Sequence, residues 1–257
     1  MTRIGNFDLE KKAAVVAVIN DSLSPFENSR KAAEMEADIL EIRLDLLEIR
    51  DSGLAVETIG KIKAETGLPL ILTNRSRAEG GKWEGSEKDR IEILKELLFT
   101  FSRENGVDDI GAGDIVDAVD AVDIELSAGE KERTELISTA KKQGKTVIVS
   151  FHDFSKTPSF QEMEKIIEEA FRAGADIAKL AVMPGSMQDI LDLLQLTLNA
   201  REARRPVCTI AMGKLGKHTR VIAPLYGSVL SYSSVESSAA PGQLQANEVK
   251  KMMELLG

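Results

Sequence analysis

Short apolar runs alternate with longer segments of mixed character along the whole chain. The runs at 13–19, 39–45, 69–75, 121–126, 146–153, 177–183, 206–212 and 229–235 read as strands. Several are nearly continuous in Val, Ile, Leu and Ala, the pattern of parallel strands covered on both faces. Between them stand helical segments. Ser24-Pro25 sets a cap residue and a first-turn proline ahead of a helix through Met35. Residues 87–103 place Ile91, Leu94, Leu98 and Phe101 at helical spacing, and 130–142 stop just before Gly144. Residues 159–173, 187–203 and 245–256 repeat the pattern. Only 104–120 breaks the rhythm: Gly106, Gly111 and Gly113 interrupt an acidic stretch, which predicts a longer connection with room for one short helix.

Strands alternating with helices predict a parallel sheet with right-handed crossovers. Eight such repeats in about 250 residues favour a closed (β/α)8 TIM barrel over an open doubly wound sheet. No low-complexity linker divides the chain, so residues 1–257 are expected to form one catalytic barrel domain.

Composition narrows the partners. Hydrophobic residues make up 43% of the chain, enough for a sizeable core and too many for a disordered one. The formal net charge is −9, which argues against nucleic acid. No run approaches the roughly 18 apolar residues of a membrane span, and the N-terminus lacks the apolar stretch of a signal peptide. The single cysteine, Cys208, lies in an apolar run and reads as a small core residue in a reducing cytoplasm.

A barrel's chemistry sits at the C-terminal ends of its strands, so polar residues there carry the most information. In Leu40-Glu41-Ile42-Arg43-Leu44-Asp45, alternation puts Glu41, Arg43 and Asp45 on one face, toward the barrel interior. They form either a structural salt-bridge network or part of a site. Lys179 stands mid-strand in an apolar run. A buried, unpaired ammonium is costly; the cost can be relieved by a lowered pKa, which makes the amine a nucleophile for a carbonyl. The alternative is internal pairing with Glu41 or Glu125. His152 ends the fifth strand, beside the sixth that bears Lys179, and can take and return a proton near neutral pH. His218 falls in a loop and is expected to be exposed. Arg75 and Arg220 follow the third and seventh strands, where each could clamp an anionic group or simply lie at the surface. The glycines at 213–216 suggest a phosphate cradle only weakly. No His-rich or Cys/His spacing fits a metal.

Six stretches then resemble the type I 3-dehydroquinate dehydratases of the shikimate pathway. They are Glu41-Ile42-Arg43-Leu44-Asp45, Asn74-Arg75-Ser76-Arg77-Ala78-Glu79-Gly80-Gly81, Asp123-Ile124-Glu125-Leu126, His152-Asp153-Phe154, Lys179-Leu180-Ala181-Val182-Met183-Pro184 and Ala240-Pro241-Gly242-Gln243. They run in family order across nearly the whole chain. The resemblance implies that Lys179 forms an imine with the ketone of 3-dehydroquinate. It implies that His152 moves the proton beside that ketone and that Glu79 orients or tunes the histidine. Glu41, Arg43, Arg75, Arg220 and Gln243 are implied to bind substrate, with the Arg220 guanidinium on the substrate's carboxylate. No metal or organic cofactor is implied, and a homodimer is compatible.

Two positions depart from the family. Ala239 stands where a serine is frequent, and Ala17-Val18-Ile19-Asn20 lacks a serine that some members carry. The loop at 233–243 suits a lid. With Gly257 directly after the last helical segment, the fused shikimate dehydrogenase domain of some relatives is not expected. Two rivals stay open: a class I Schiff-base aldolase on the same barrel, which should show a phosphate site, and a non-catalytic barrel binding a carboxylated metabolite.

Overall fold

A computed structural model describes residues 2–100 and 118–256. The expected connection at 104–120 therefore lies, up to residue 117, outside the described residues. The chain opens with a two-stranded antiparallel hairpin, β1 (Arg3–Ile4) and β2 (Phe7–Asp8). Eight parallel strands follow: β3 (Ala14–Ile19), β4 (Ile39–Arg43), β5 (Leu70–Thr73), β6 (Ala121–Glu125), β7 (Thr146–Asp153), β8 (Ile177–Val182), β9 (Val207–Ala211) and β10 (Leu230–Ser233). β10 pairs with β3, and a parallel bridge from Val207 to Ser228 joins β9 to the approach of β10. The sheet thus closes into the expected (β/α)8 barrel.

The helices are α1 (Pro25–Glu34), α2 (Ser52–Thr66), α3 (Glu87–Thr100), α4 (Glu130–Lys142), α5 (Phe160–Arg172), α6 (Met187–Glu202), α7 (Gly213–Gly216), α8 (Thr219–Tyr226) and α9 (Ala246–Leu256). Local chemistry starts several of them. Capping boxes at Ser159–Glu162 and Ser186–Asp189 satisfy the first N–H groups of α5 and α6. The sequence pattern did not mark α2 or α8. α2 holds Gly53 and Gly60 among β-branched residues, and α8 holds Pro224 internally, so intrinsic propensity is poor in both. α2 forms because Asp51 caps Leu54 and because Ala55, Ile59 and Ile62 are buried. Residues 213–216, expected as a loop, make one helical turn.

Alternation along the strands sorts the core in two. Val15, Leu40, Leu72, Val149, Leu180 and their neighbours pack outward against the helices. Ala14, Val16, Ile39, Ile71, Ala121, Ile148, Ile177 and Leu230 fill the lower barrel, with Ile4 and Leu9 of the N-terminal segment in the same cluster. Above that layer the inward positions of β4 to β8 turn polar, while β9, β10 and β3 stay largely apolar. The site lies at this upper end.

Candidate active site

Lys179 projects from the middle of β8 and is 5% exposed. Its Nζ lies 2.9 Å from Asp123 Oδ2 and 3.7 Å from Glu41 Oε1. The amine is therefore paired, and by a residue that the sequence reading did not place in the site. Glu125, the other expected partner, instead meets Arg75 at 3.0 Å and Arg90 at 2.8 Å. Asp123 was legible in principle: alternation in Ala121-Val122-Asp123-Ile124-Glu125 puts it on the inward face with Glu125.

Asp123 is shared. Its Oδ1 takes an ion pair from Arg75 at 2.8 Å and a hydrogen bond from Ser150 Oγ at 2.6 Å. Burial alone would raise its pKa, but the charges of Arg75 and Lys179 outweigh burial and hold it well below the usual carboxylate range. Arg75 faces the cavity, yet its guanidinium is engaged by Asp123, Glu125 and Ser150. It organises the site's carboxylates and has little donor capacity left for a substrate anion. Glu41 accepts from Thr73 Oγ1 at 2.9 Å. Arg43 makes a two-point contact with Asp45, at 2.9 and 2.8 Å, and Asp45 also accepts the backbone N–H groups of Arg75 and Lys82. Asp45 thus ties the end of β4 to the loop that carries Glu79.

His152, at the end of β7, has its Nδ1 2.8 Å from Glu79 Oε2, and its own backbone N–H donates to the same oxygen at 2.9 Å. Ser127 Oγ donates to the other carboxylate oxygen. This network assigns the proton to Nδ1 and leaves Nε2 as the free base. Burial pushes Glu79 up to about 7, against the Ser127 hydrogen bond and the Arg75 charge. Burial, then the charges of Arg75 and Lys179, hold His152 well below 6.5, so the imidazole is neutral at neutral pH. Gly80, next to Glu79, has φ +80, and a Cβ there would stand 2.4 Å from the Phe154 ring. Only glycine lets the Glu79 turn close against that ring.

The opposite wall is built by the last two repeats. Arg220, on α8, is 3% exposed. It donates to the carbonyls of Tyr232 at 3.2 Å and Pro241 at 3.4 Å, and its Nε has no partner. Among the described residues no carboxylate is paired with it, and burial lowers its pKa to about 10. Gln243 reaches the cavity, but its Oε1 accepts from Ala239 N at 2.7 Å and Ala240 N at 3.2 Å, bracing its own loop. Asn20 has a comparable use: Nδ2 donates to Ser237 O and Oγ, both at 3.3 Å, tying β3 to the loop after β10. The Gly213 N–H donates to Pro241 O at 3.1 Å, so this turn is occupied by protein and is no open phosphate cradle. His218 is exposed, as expected. Cys208 is buried, with its thiol pushed up to about 12 by burial. The cavity, about 490 Å³ including its open mouth, brings together Glu41, Arg43, Arg75, Glu79, His152, Lys179, Arg220 and Gln243, every residue the sequence proposed. Among the described residues no cluster is arranged to hold a metal ion, and no helix is long and apolar enough to cross a membrane.

Fold and site together define a class: a (β/α)8-barrel enzyme with a lysine at the centre of its polar mouth and a histidine–glutamate pair beside it. Residues 14–257 match the family described as type I 3-dehydroquinase. The chain belongs to that family. It is 64% identical over 258 residues to the 3-dehydroquinate dehydratase of Methanosarcina barkeri, covering all of both chains. The crystal structure of 3-dehydroquinate dehydratase from Geobacillus kaustophilus superposes with a TM-score of 0.84 at 29% identity, over 95% of this chain and 91% of that one. A type I enzyme from Clostridium difficile, described with covalent modified comenic acid, gives 0.83 at 27% identity, over 95% and 92%.

Proposed function

We propose that this barrel dehydrates 3-dehydroquinate to 3-dehydroshikimate in the shikimate pathway, through an imine on Lys179. The observation that carries the reading is a pairing within one cavity: the Lys179 amine on one wall and, on the other, the Arg220 guanidinium, which has no carboxylate partner among the described residues. A small molecule with both a ketone and a carboxylate satisfies the two at once.

The residues divide the work. Lys179, ion-paired with Asp123, passes one proton to His152 and adds to the ketone. Water is lost as His152 returns that proton, which leaves a protonated imine flanked by Asp123 and Glu41. That cation is an electron sink: when His152 Nε2 removes the neighbouring carbon's proton, the electron pair flows into an enamine. The enamine expels the β-hydroxyl, which leaves as water with the proton held on His152. Hydrolysis of the conjugated imine frees the product and restores Lys179. Glu79 keeps the histidine in its base tautomer, and Arg43 with Asp45 holds the substrate-hydroxyl side of the pocket. Gln243 contacts substrate through its amide nitrogen while its oxygen braces the loop. Residues 1–257 act as one catalytic domain in the cytoplasm, in keeping with a lone, buried cysteine. The assembly proposed with it is a homodimer, which light scattering checks.

Borohydride added with 3-dehydroquinate is the test. It should inactivate the protein and leave one reduced adduct on Lys179 by peptide mapping, while the untreated protein forms the conjugated, ultraviolet-absorbing product. Adducts scattered over surface lysines, or activity that survives reduction, would remove the mechanism.

A further inference from the structure

Tyr232 stands on the inner face of β10, 3% exposed, and lines the cavity. Its ring centroid is 4.0 Å from Lys179 Nζ, so the ring borders the amine that attacks the ketone. Its main-chain carbonyl accepts from Arg220 at 3.2 Å. One residue therefore touches both anchor groups of the site. Its hydroxyl, by contrast, is buried and has no hydrogen-bond partner among the described residues. A buried polar group left unpaired is costly, and such groups in native proteins call for an explanation. Burial, then the nearby Glu41 and Asp123 carboxylates, push the phenol well above its ordinary value of 10, so it keeps its proton and remains a donor.

An oxygen of substrate is the partner that this donor fits. Once Lys179 adds to the ketone, the former carbonyl oxygen sits two bonds from Nζ. The Tyr232 ring, 4.0 Å from Nζ, thus borders the space that this oxygen enters, and an O–H···O contact there has a length of about 2.7 Å. We propose that the Tyr232 hydroxyl is a substrate contact of the imine-forming step, donating a hydrogen bond to the ketone oxygen and to the carbinolamine hydroxyl that it becomes. This rests on the Schiff-base reading above. In that step His152 Nε2 first takes one proton from the Lys179 ammonium of the ion pair with Asp123. The nitrogen lone pair adds to the carbonyl carbon as the C=O π bond breaks, and a second nitrogen proton passes to the oxygen. The lone pair then forms the C=N bond, the C–O bond breaks, and the oxygen leaves as water with the proton that His152 returns. Tyr232 keeps its own proton throughout. It stabilises the oxygen as negative charge builds on it and helps in reverse when the product imine is hydrolysed.

Tyr232→Phe removes one oxygen and retains the ring beside Lys179. A neutral hydrogen bond lost in a buried site lowers a rate by about three- to tenfold. We expect kcat/KM to fall by that factor, and the rate of borohydride-trapped imine formation to fall with it. The melting temperature should not fall, because in the free enzyme the hydroxyl holds nothing among the described residues. Binding of a cyclic carboxylate without a ketone, held through Arg220, should be unchanged. If Tyr232→Phe traps imine as fast as wild type, the contact is wrong, and a raised KM with an unchanged trapping rate would place the hydroxyl on a different substrate oxygen and equally overturn it. A lower melting temperature with unchanged kinetics would make the hydroxyl structural. A wild-type protein that traps no imine at all overturns the Schiff-base reading and the contact with it, which separates the two failures.

Discussion

Glu79 Oε2 accepts from two atoms of one residue, the ring Nδ1 of His152 at 2.8 Å and its backbone N at 2.9 Å. The carboxylate thereby fixes both the position of the imidazole and its tautomer. A buried carboxyl pushed up to about 7 is ionised only above that pH, so the hold on Nδ1 weakens as the solution turns acid. We expect kcat/KM of the wild type to decline below about pH 7. In Glu79→Gln that limb should move to lower pH, because His152, held well below 6.5, is the remaining titrating group. Turnover should drop on the order of 10²-fold. Rate profiles from pH 5 to 9 decide it, and an unmoved limb rules out Glu79.

The same shift has a stability consequence. A carboxyl with a raised folded pKa holds its proton more tightly in the folded state. Its contribution is complete below the ordinary value of 4.5 and is lost as pH rises through 7. Glu79→Gln imitates the protonated form, so denaturant titration at pH 8 should find it at least as stable as wild type. His152 has the opposite sign: its folded pKa is depressed, so stability is lost as pH falls below 6.5.

Asp123→Asn should be among the most destabilising single changes in the barrel. It leaves the charges of Lys179 and Arg75 without the carboxylate between them. Removing one partner of a buried ion pair costs about 3–5 kcal/mol. Urea unfolding should show that loss, and imine trapping should fail as Lys179 is no longer held. A stability change below about 1 kcal/mol, the scale of exposed pairs, would mean that Glu41 and Glu125 suffice.

Arg220→Ala should separate function from stability. A charge-assisted contact to a substrate carboxylate is worth roughly 1.5–3 kcal/mol, so KM should rise about 10- to 150-fold. The free protein loses a buried cation that has no carboxylate partner among the described residues, which offsets part of the two carbonyl hydrogen bonds and the packing lost with the side chain. The melting temperature should therefore fall far less than in Asp123→Asn. An unchanged KM would show that the carboxylate is held elsewhere.

Ala239→Ser supplies the hydroxyl that the family resemblance leads one to expect at this position. Ala239 lines the cavity, and its backbone N is fixed by Gln243 Oε1 at 2.7 Å, so an added Oγ should enter the pocket without moving the loop. One neutral hydrogen bond predicts a KM roughly two- to tenfold lower with kcat little changed. A higher KM with an intact fold would show that Ala239 packs too closely for the extra atom.

The alternation of apolar runs and amphipathic segments determined the barrel, because parallel strands covered on both faces and right-handed crossovers leave few other closures. The period of two along a strand likewise determined that Glu41, Arg43 and Asp45 face inward together, and the motif order brought Lys179, His152, Glu79 and the arginines to one end. Partnership was decided only by tertiary structure. Which carboxylate meets Lys179 depends on how far each inward side chain reaches across a barrel whose strands are staggered, and that stagger leaves no mark within any one strand. It gave the lysine to Asp123, gave Glu125 to Arg75 and Arg90, and left Arg220 without a counter-charge among the described residues. Whether an arginine is spent on its neighbours or kept for a ligand is a property of distances between segments far apart in the chain, set when the barrel closes.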